Sequence, residues 1–112
     1  MLAFFAVELG AFGAHAWQST LVANATHHIF STASEYHFIH ALALLWFGTY
    51  SKSLSPTTWV KYARYSMLIE IIIFSGSLYC LALTGIKWLG AITPIGGILL
   101  LSSWVSIAWI VY

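Results

Sequence analysis

Polar and apolar positions along this chain fall into long blocks. Four apolar runs stand out: Met1 to about Ala16, Ser34 to Tyr50, Tyr62 to Leu83 and Trp88 to Tyr112. Each approaches the roughly 20 residues a helix needs to cross the hydrocarbon core of a bilayer, the first falling somewhat short. Residues 17–33 are mixed, with Val22, Ala25, Ile29 and Ala33 at helical spacing opposite Thr20, Asn24, His27 and Ser31. That spacing predicts a short helix along the membrane interface. In Ser51-Lys52-Ser53-Leu54-Ser55-Pro56, Ser55 is placed to cap the next helix and Pro56 to fill its first position. Thr84-Gly85-Ile86-Lys87 reads as a tight turn with Gly85 left-handed, which folds the last two runs into an antiparallel hairpin. The pattern predicts an all-α integral membrane four-helix bundle with a short interfacial helix between the first two spans. It forms one transmembrane domain over residues 1–112.

Composition sharpens this reading. Hydrophobic residues make up 61% of the chain and charged residues 6%, leaving too little polar chain for a soluble catalytic domain. A formal net charge of +1 gives nucleic acid no basic surface to bind. The lone Cys80 excludes an internal disulfide. Ala14-His15-Ala16 matches a signal-peptide cleavage rule, but no cation precedes the apolar stretch and Glu8 interrupts it, so it reads as a retained first helix. Lys52, Lys61 and Arg64 lie at one membrane side and only Lys87 at the other. This places both termini in the cytoplasm or the mitochondrial matrix.

Small residues mark where helices approach closely: Ala6, Gly10 and Ala14 with Gly13 alongside, Ala41 with Gly48, and Gly76 with Cys80. Gly10 or Gly13 is expected against another helix. Thr93-Pro94-Ile95-Gly96-Gly97 must bend or open the fourth helix, with the Thr93 hydroxyl available to a freed carbonyl.

Two carboxyls lie inside apolar runs. Glu8 and Glu70 each fall roughly 9–14 Å in from the same membrane face. Each must be protonated, paired or facing a wet cavity. Ser66, Glu70, Ser77 and Thr84 share a stripe on the third helix, and Glu8 shares a face with His15. Three readings stand open: carboxyls that stitch helices together, a contact with a partner's cation or cofactor, and a proton or cation path. Histidines gather in the first half of the chain, at His15, His27, His28, His37 and His40. His15, His37 and His40 are expected in one polar cluster opposite Lys52 and Arg64, hydrogen-bonded with help from Tyr36. The alternative is a zinc or copper site completed by Glu35 or water. No cofactor is specified.

Several strings resemble one family. They are Gly10-Ala11-Phe12-Gly13-Ala14-His15-Ala16, Phe30 to Leu44 around Glu35-Tyr36-His37-Phe38-Ile39-His40, Phe74-Ser75-Gly76-Ser77-Leu78-Tyr79 with Ala82-Leu83-Thr84-Gly85, and Trp88-Leu89-Gly90-Ala91-Ile92-Thr93-Pro94-Ile95-Gly96-Gly97. Together they resemble the YgdD / transmembrane protein 256 family of small bacterial and mitochondrial membrane proteins, a domain of unknown function. The resemblance implies a four-helix inner-membrane protein. Its motif positions map onto Gly10, Gly13, His15, Tyr36, His37, His40, Ser75, Gly76, Tyr79, Thr93, Pro94 and Gly97. The first helix starts several residues late by that pattern, and Glu8 and Glu70 stand where small or apolar residues belong.

With almost no extramembrane mass, the chain acts through its lateral faces. The expected role is a non-catalytic accessory or assembly subunit of a larger membrane complex, respiratory or metalloenzyme. Its partners are the lipid bilayer and other membrane subunits. The alternative is a small transport or proton- and ion-handling protein using Glu8 and Glu70.

Overall fold

The computed structural model of the protein describes residues 2–112. The side chains of residues 2, 3, 6 and 12–14 lie outside the described part, and with them the expected packing at Gly13 and the Ala6 and Ala14 rungs. The described residues are helical throughout their regular structure, with no strand. Helix α1 covers Leu2–Ala14, α2 Gln18–Ala23, α3 His27–Tyr50, α4 Thr58–Glu70, α5 Gly76–Thr84 and α6 Thr93–Val111. A π-helical turn, Ile71–Ser75, joins α4 to α5 without a break in direction, and a 3-10 turn, Lys87–Ala91, leads into α6.

Among the described residues, two helical stretches are long and apolar enough to cross a membrane. They are Thr58–Thr84, with mean hydropathy 1.9, and Lys87–Val111, with mean hydropathy 1.8. The second of these is not turned inward as a soluble core helix is. Along α6, Ile98, Leu101, Val105 and Trp109 are each at least 66% exposed. A row of large apolar side chains left open on that scale suits lipid and not water.

The turn before α6 forms as its sequence dictates. Gly85 is left-handed at φ 71°, and its amide donates to the Leu81 carbonyl at 2.8 Å. Pro94 sits in the first turn of α6, where its missing N–H removes no helical bond. The expected break within the last apolar run is therefore a change from 3-10 to α-helix. The Thr93 hydroxyl, expected to serve a freed carbonyl, instead meets the Ser77 hydroxyl at 2.7 Å.

Other details depart from the sequence reading. Residues 17–33 do not form one helix. The chain reverses at Asn24–Thr26, with Ala25 at φ 53°, and α3 begins at His27 rather than Ser34. Leu21 is the fully buried anchor of this region, while Val22 is 65% exposed. The break is held from a distance. The Thr26 hydroxyl donates to the Ala82 carbonyl at 2.6 Å, and the Asn24 amide reaches the Ala82 and Leu83 carbonyls at 3.4 and 3.3 Å. These are end-of-helix carbonyls with no intrahelical donor. The cap of α4 is Thr57, not Ser55. Its side chain accepts from the Val60 amide at 3.4 Å, and Pro56 lies before the helix.

Helix α4 packs along α6, α1 along α3, and α3 also against α5 and the π-helical turn. Phe47, Ala63, Met67 and Ile107 form one apolar cluster, and Leu21, Phe30 and Ala82 another. Close approach is concentrated at Gly96. A Cβ there would lie 2.6 Å from the Phe74 nitrogen, on the wide turn that swells toward α6. The expected ladder on the third helix is absent, since a Cβ at Gly76 meets nothing within 4 Å and Cys80 is exposed. Gly48 likewise opens on space. Gly10 does lie against a neighbour, Ser34 of α3, at ordinary contact distance.

Candidate functional site

Helix α3 carries the principal polar cluster. His37 and His40 are buried near its middle, facing α5 and α6. The Trp104 indole N–H donates to His40 Nε2 at 3.0 Å. An imidazole nitrogen that accepts leaves the other to carry the proton, so His40 Nδ1 donates to the Tyr36 carbonyl at 2.7 Å. Both ring nitrogens are thereby engaged. The Tyr36 ring stacks on His40 at 5.7 Å and packs against Phe74 at 5.0 Å. His37 Nδ1 lies 3.1 Å from the Tyr79 hydroxyl, which donates to the Ser34 hydroxyl at 3.4 Å. Two adjacent histidines thus serve two networks, one tying α3 to α6 and the other tying it to α5.

His15 does not join them. Gly10 of α1 lies against Ser34 of α3, and His15 lies one residue beyond the end of α1. His15 is exposed and lines a shallow groove with Glu8 and Ala11. The expected Glu8–His15 face is therefore present and the three-histidine cluster is not. The early start of α3 also moves His37 and His40 from the membrane edge to mid-helix. His27, His28 and Glu35 are exposed. Among the described residues no group of three His, Cys, Asp or Glu side chains could hold a metal ion.

Of the third-helix stripe, Ser66 and Ser77 meet α6, while Thr84 is exposed and its hydroxyl donates back to the Cys80 carbonyl. The Ser103 hydroxyl donates to Ser66 at 2.8 Å and to the Leu99 carbonyl at 2.7 Å. The Ser77 hydroxyl donates to the Phe74 carbonyl at 3.0 Å and meets Thr93. Glu70 lies between these contacts on the same helix, directly before the π-helical turn, and is 1% exposed. Its Oε1 has no hydrogen-bond partner among the described residues. Glu8 is exposed on α1, which packs on α2 and α3. The two carboxyls occupy separate environments. Of the other motif positions, Ser75 is buried, Tyr36 and Pro94 are exposed, and Gly97 opens on space.

Trp104, Ser34 and Ser103 complete these networks, and the sequence reading passed over all three. Trp104 was legible in one respect. It lies within an apolar run, where an indole N–H kept from water needs an acceptor.

The family model for a protein of unknown function, DUF423, matches residues 9–97. The chain belongs to this family. The matched span takes in all the strings on which the resemblance to the YgdD family rests. Similar relatives include the UPF0382 inner membrane protein YgdD of Escherichia coli, 36% identical with 90% of this chain and 76% of that protein aligned. The UPF0382 membrane protein YwdK of Bacillus subtilis is 41% identical over 94% of this chain and 85% of its own. A UPF0382 membrane protein of Haemophilus influenzae is 44% identical over 95% and 83%. No solved structure matches the chain. This DUF423 chain is a membrane protein.

Proposed function

We propose that this DUF423 protein is a non-catalytic accessory or assembly subunit of a larger inner-membrane complex, respiratory or metalloenzyme in kind. It crosses the bilayer four times, through α1, α3, the continuous α4–α5 rod and α6, with α2 at the interface and both termini in the cytoplasm. A molecule 49 Å long and 17 Å thick suits rods standing across a bilayer of about 40–45 Å including headgroups. The inner-membrane setting follows the name given to the Escherichia coli relative.

The observation that carries the subunit role is the placement of Glu8. It lies in the middle of α1, exposed, with Phe4, Phe5 and Val7 exposed beside it. A carboxyl on the outward face of a span costs several kcal/mol in lipid. A polar or cationic group on a neighbouring subunit removes that cost. Purification in mild detergent tests the role. A stoichiometric second chain is the expected result, and a bare monomer or a homo-oligomer contradicts it.

A second reading, proton or ion handling, is favoured by the buried Glu70 with its unpartnered oxygen beside a π-helical turn, an irregularity frequent at functional sites. Glu8 lies outside any such path, so the reading rests on Glu70 alone. Flux in proteoliposomes that Glu70→Gln abolishes would favour it over the subunit role.

A further inference from the structure

Between α3 and α4 lies a groove of about 390 Å³ that begins at the Ser51–Ser53 turn. Lys52, in that turn, and Arg64, in the second turn of α4, line its outer part, while Leu44, Leu45 and Leu68 line it deeper in. A Cβ at Gly48 would meet nothing within 4 Å, so the wall between the charged and apolar parts is open. From Lys52 to Leu44 the groove descends about 12 Å at helical rise. The chain has three acidic residues, Glu8, Glu35 and Glu70, and none of them lines it. Two cations thus stand over an apolar slot with no carboxylate in it.

We propose that this groove binds one anionic phospholipid, its phosphate held by Lys52 and Arg64 and an acyl chain lying over Gly48 against Leu44, Leu45 and Leu68. The arrangement of charge above apolar wall matches a phospholipid in order and in depth. Cationic pockets between membrane helices favour anionic headgroups, and a guanidinium presents paired donors to a phosphate. A partner helix would have to bring its own acidic group to the membrane edge at this level, whereas the bilayer already supplies phosphate there. The inference rests on α3 and α4 spanning the membrane and is independent of the subunit role.

Native mass spectrometry of the full chain in detergent, supplied with dioleoylphosphatidylglycerol or dioleoylphosphatidylcholine, tests it. One phosphatidylglycerol is expected to stay bound under conditions that strip phosphatidylcholine. Lys52→Gln with Arg64→Gln should weaken retention roughly tenfold or more. Gly48→Leu should weaken it with both charges in place, because the acyl path is filled. Circular dichroism checks that each variant remains helical, and the single Lys52→Gln change, at an exposed side chain, carries the charge test if the double variant misfolds. Equal retention of the two lipids overturns the proposal, as does wild-type retention in folded Gly48→Leu or charge variants. Displacement by inorganic phosphate at matched concentration, insensitive to Gly48→Leu, also overturns it and assigns a free-phosphate site. Release of the protein from membranes by alkaline carbonate would instead contradict the spanning arrangement.

Discussion

A methyl group added at Gly96 would collide with the Phe74 backbone, whereas one added at the adjacent Gly97 meets nothing within 4 Å. Backbone cannot step aside as a flexible side chain can. Gly96→Ala should destabilise the protein by about 1–3 kcal/mol and Gly97→Ala should be close to neutral, as thermal unfolding in detergent would register. Hydropathy could not separate these two glycines, because their difference depends on the wide turn at Ile71–Ser75 that faces α6. The Trp104–His40 contact supports a second test. Trp104→Phe and His40→Ala each leave a polar partner without its bond, at a cost of about 1–3 kcal/mol. A double-mutant cycle should show coupling between them of about 1 kcal/mol, and strict additivity would mean the bond contributes nothing.

At the scale of elements, the two longest apolar runs were legible because length and hydropathy alone make them helices suited to lipid. So was Gly85, since a turn this short needs a left-handed residue. Gly85→Ala should cost about 1 kcal/mol or more in unfolding free energy, because its φ of 71° strains any residue with a Cβ. The start of α3 was not legible. His27, His28, Ser31 and Thr32 look like an interfacial surface, and nothing local marks the reversal before them. What fixes it is distant in sequence, the bonds of Asn24 and Thr26 to carbonyls at the end of α5. Thr26→Val keeps the shape and removes a buried donor. It should expose Ala23–Ile29 to faster hydrogen exchange while leaving α6 protected. Uniform loosening of the whole chain would show that the anchor acts globally.

Across the whole molecule, the sequence located both unusual carboxyls but could not assign them to different places. Helical spacing relates residues on one helix. It does not say which face of α1 meets α3 or which face of α4 turns inward, and those choices leave Glu8 exposed and Glu70 buried. The histidines failed as one cluster for the same reason: His15 is exposed just past the end of α1, while His37 and His40 are buried on α3. The proposed subunit role rests on this exposed carboxyl, which a polar group on a second chain would pair. The most direct measurement is native mass spectrometry of complexes extracted in mild detergent from membranes carrying wild type, Glu8→Gln or Glu8→Leu. The account predicts a second, different chain at fixed stoichiometry with wild type, reduced occupancy with Glu8→Gln, and loss of that chain with Glu8→Leu while helicity and yield are unchanged. The same partner occupancy in all three, or no second chain in wild type, would contradict it.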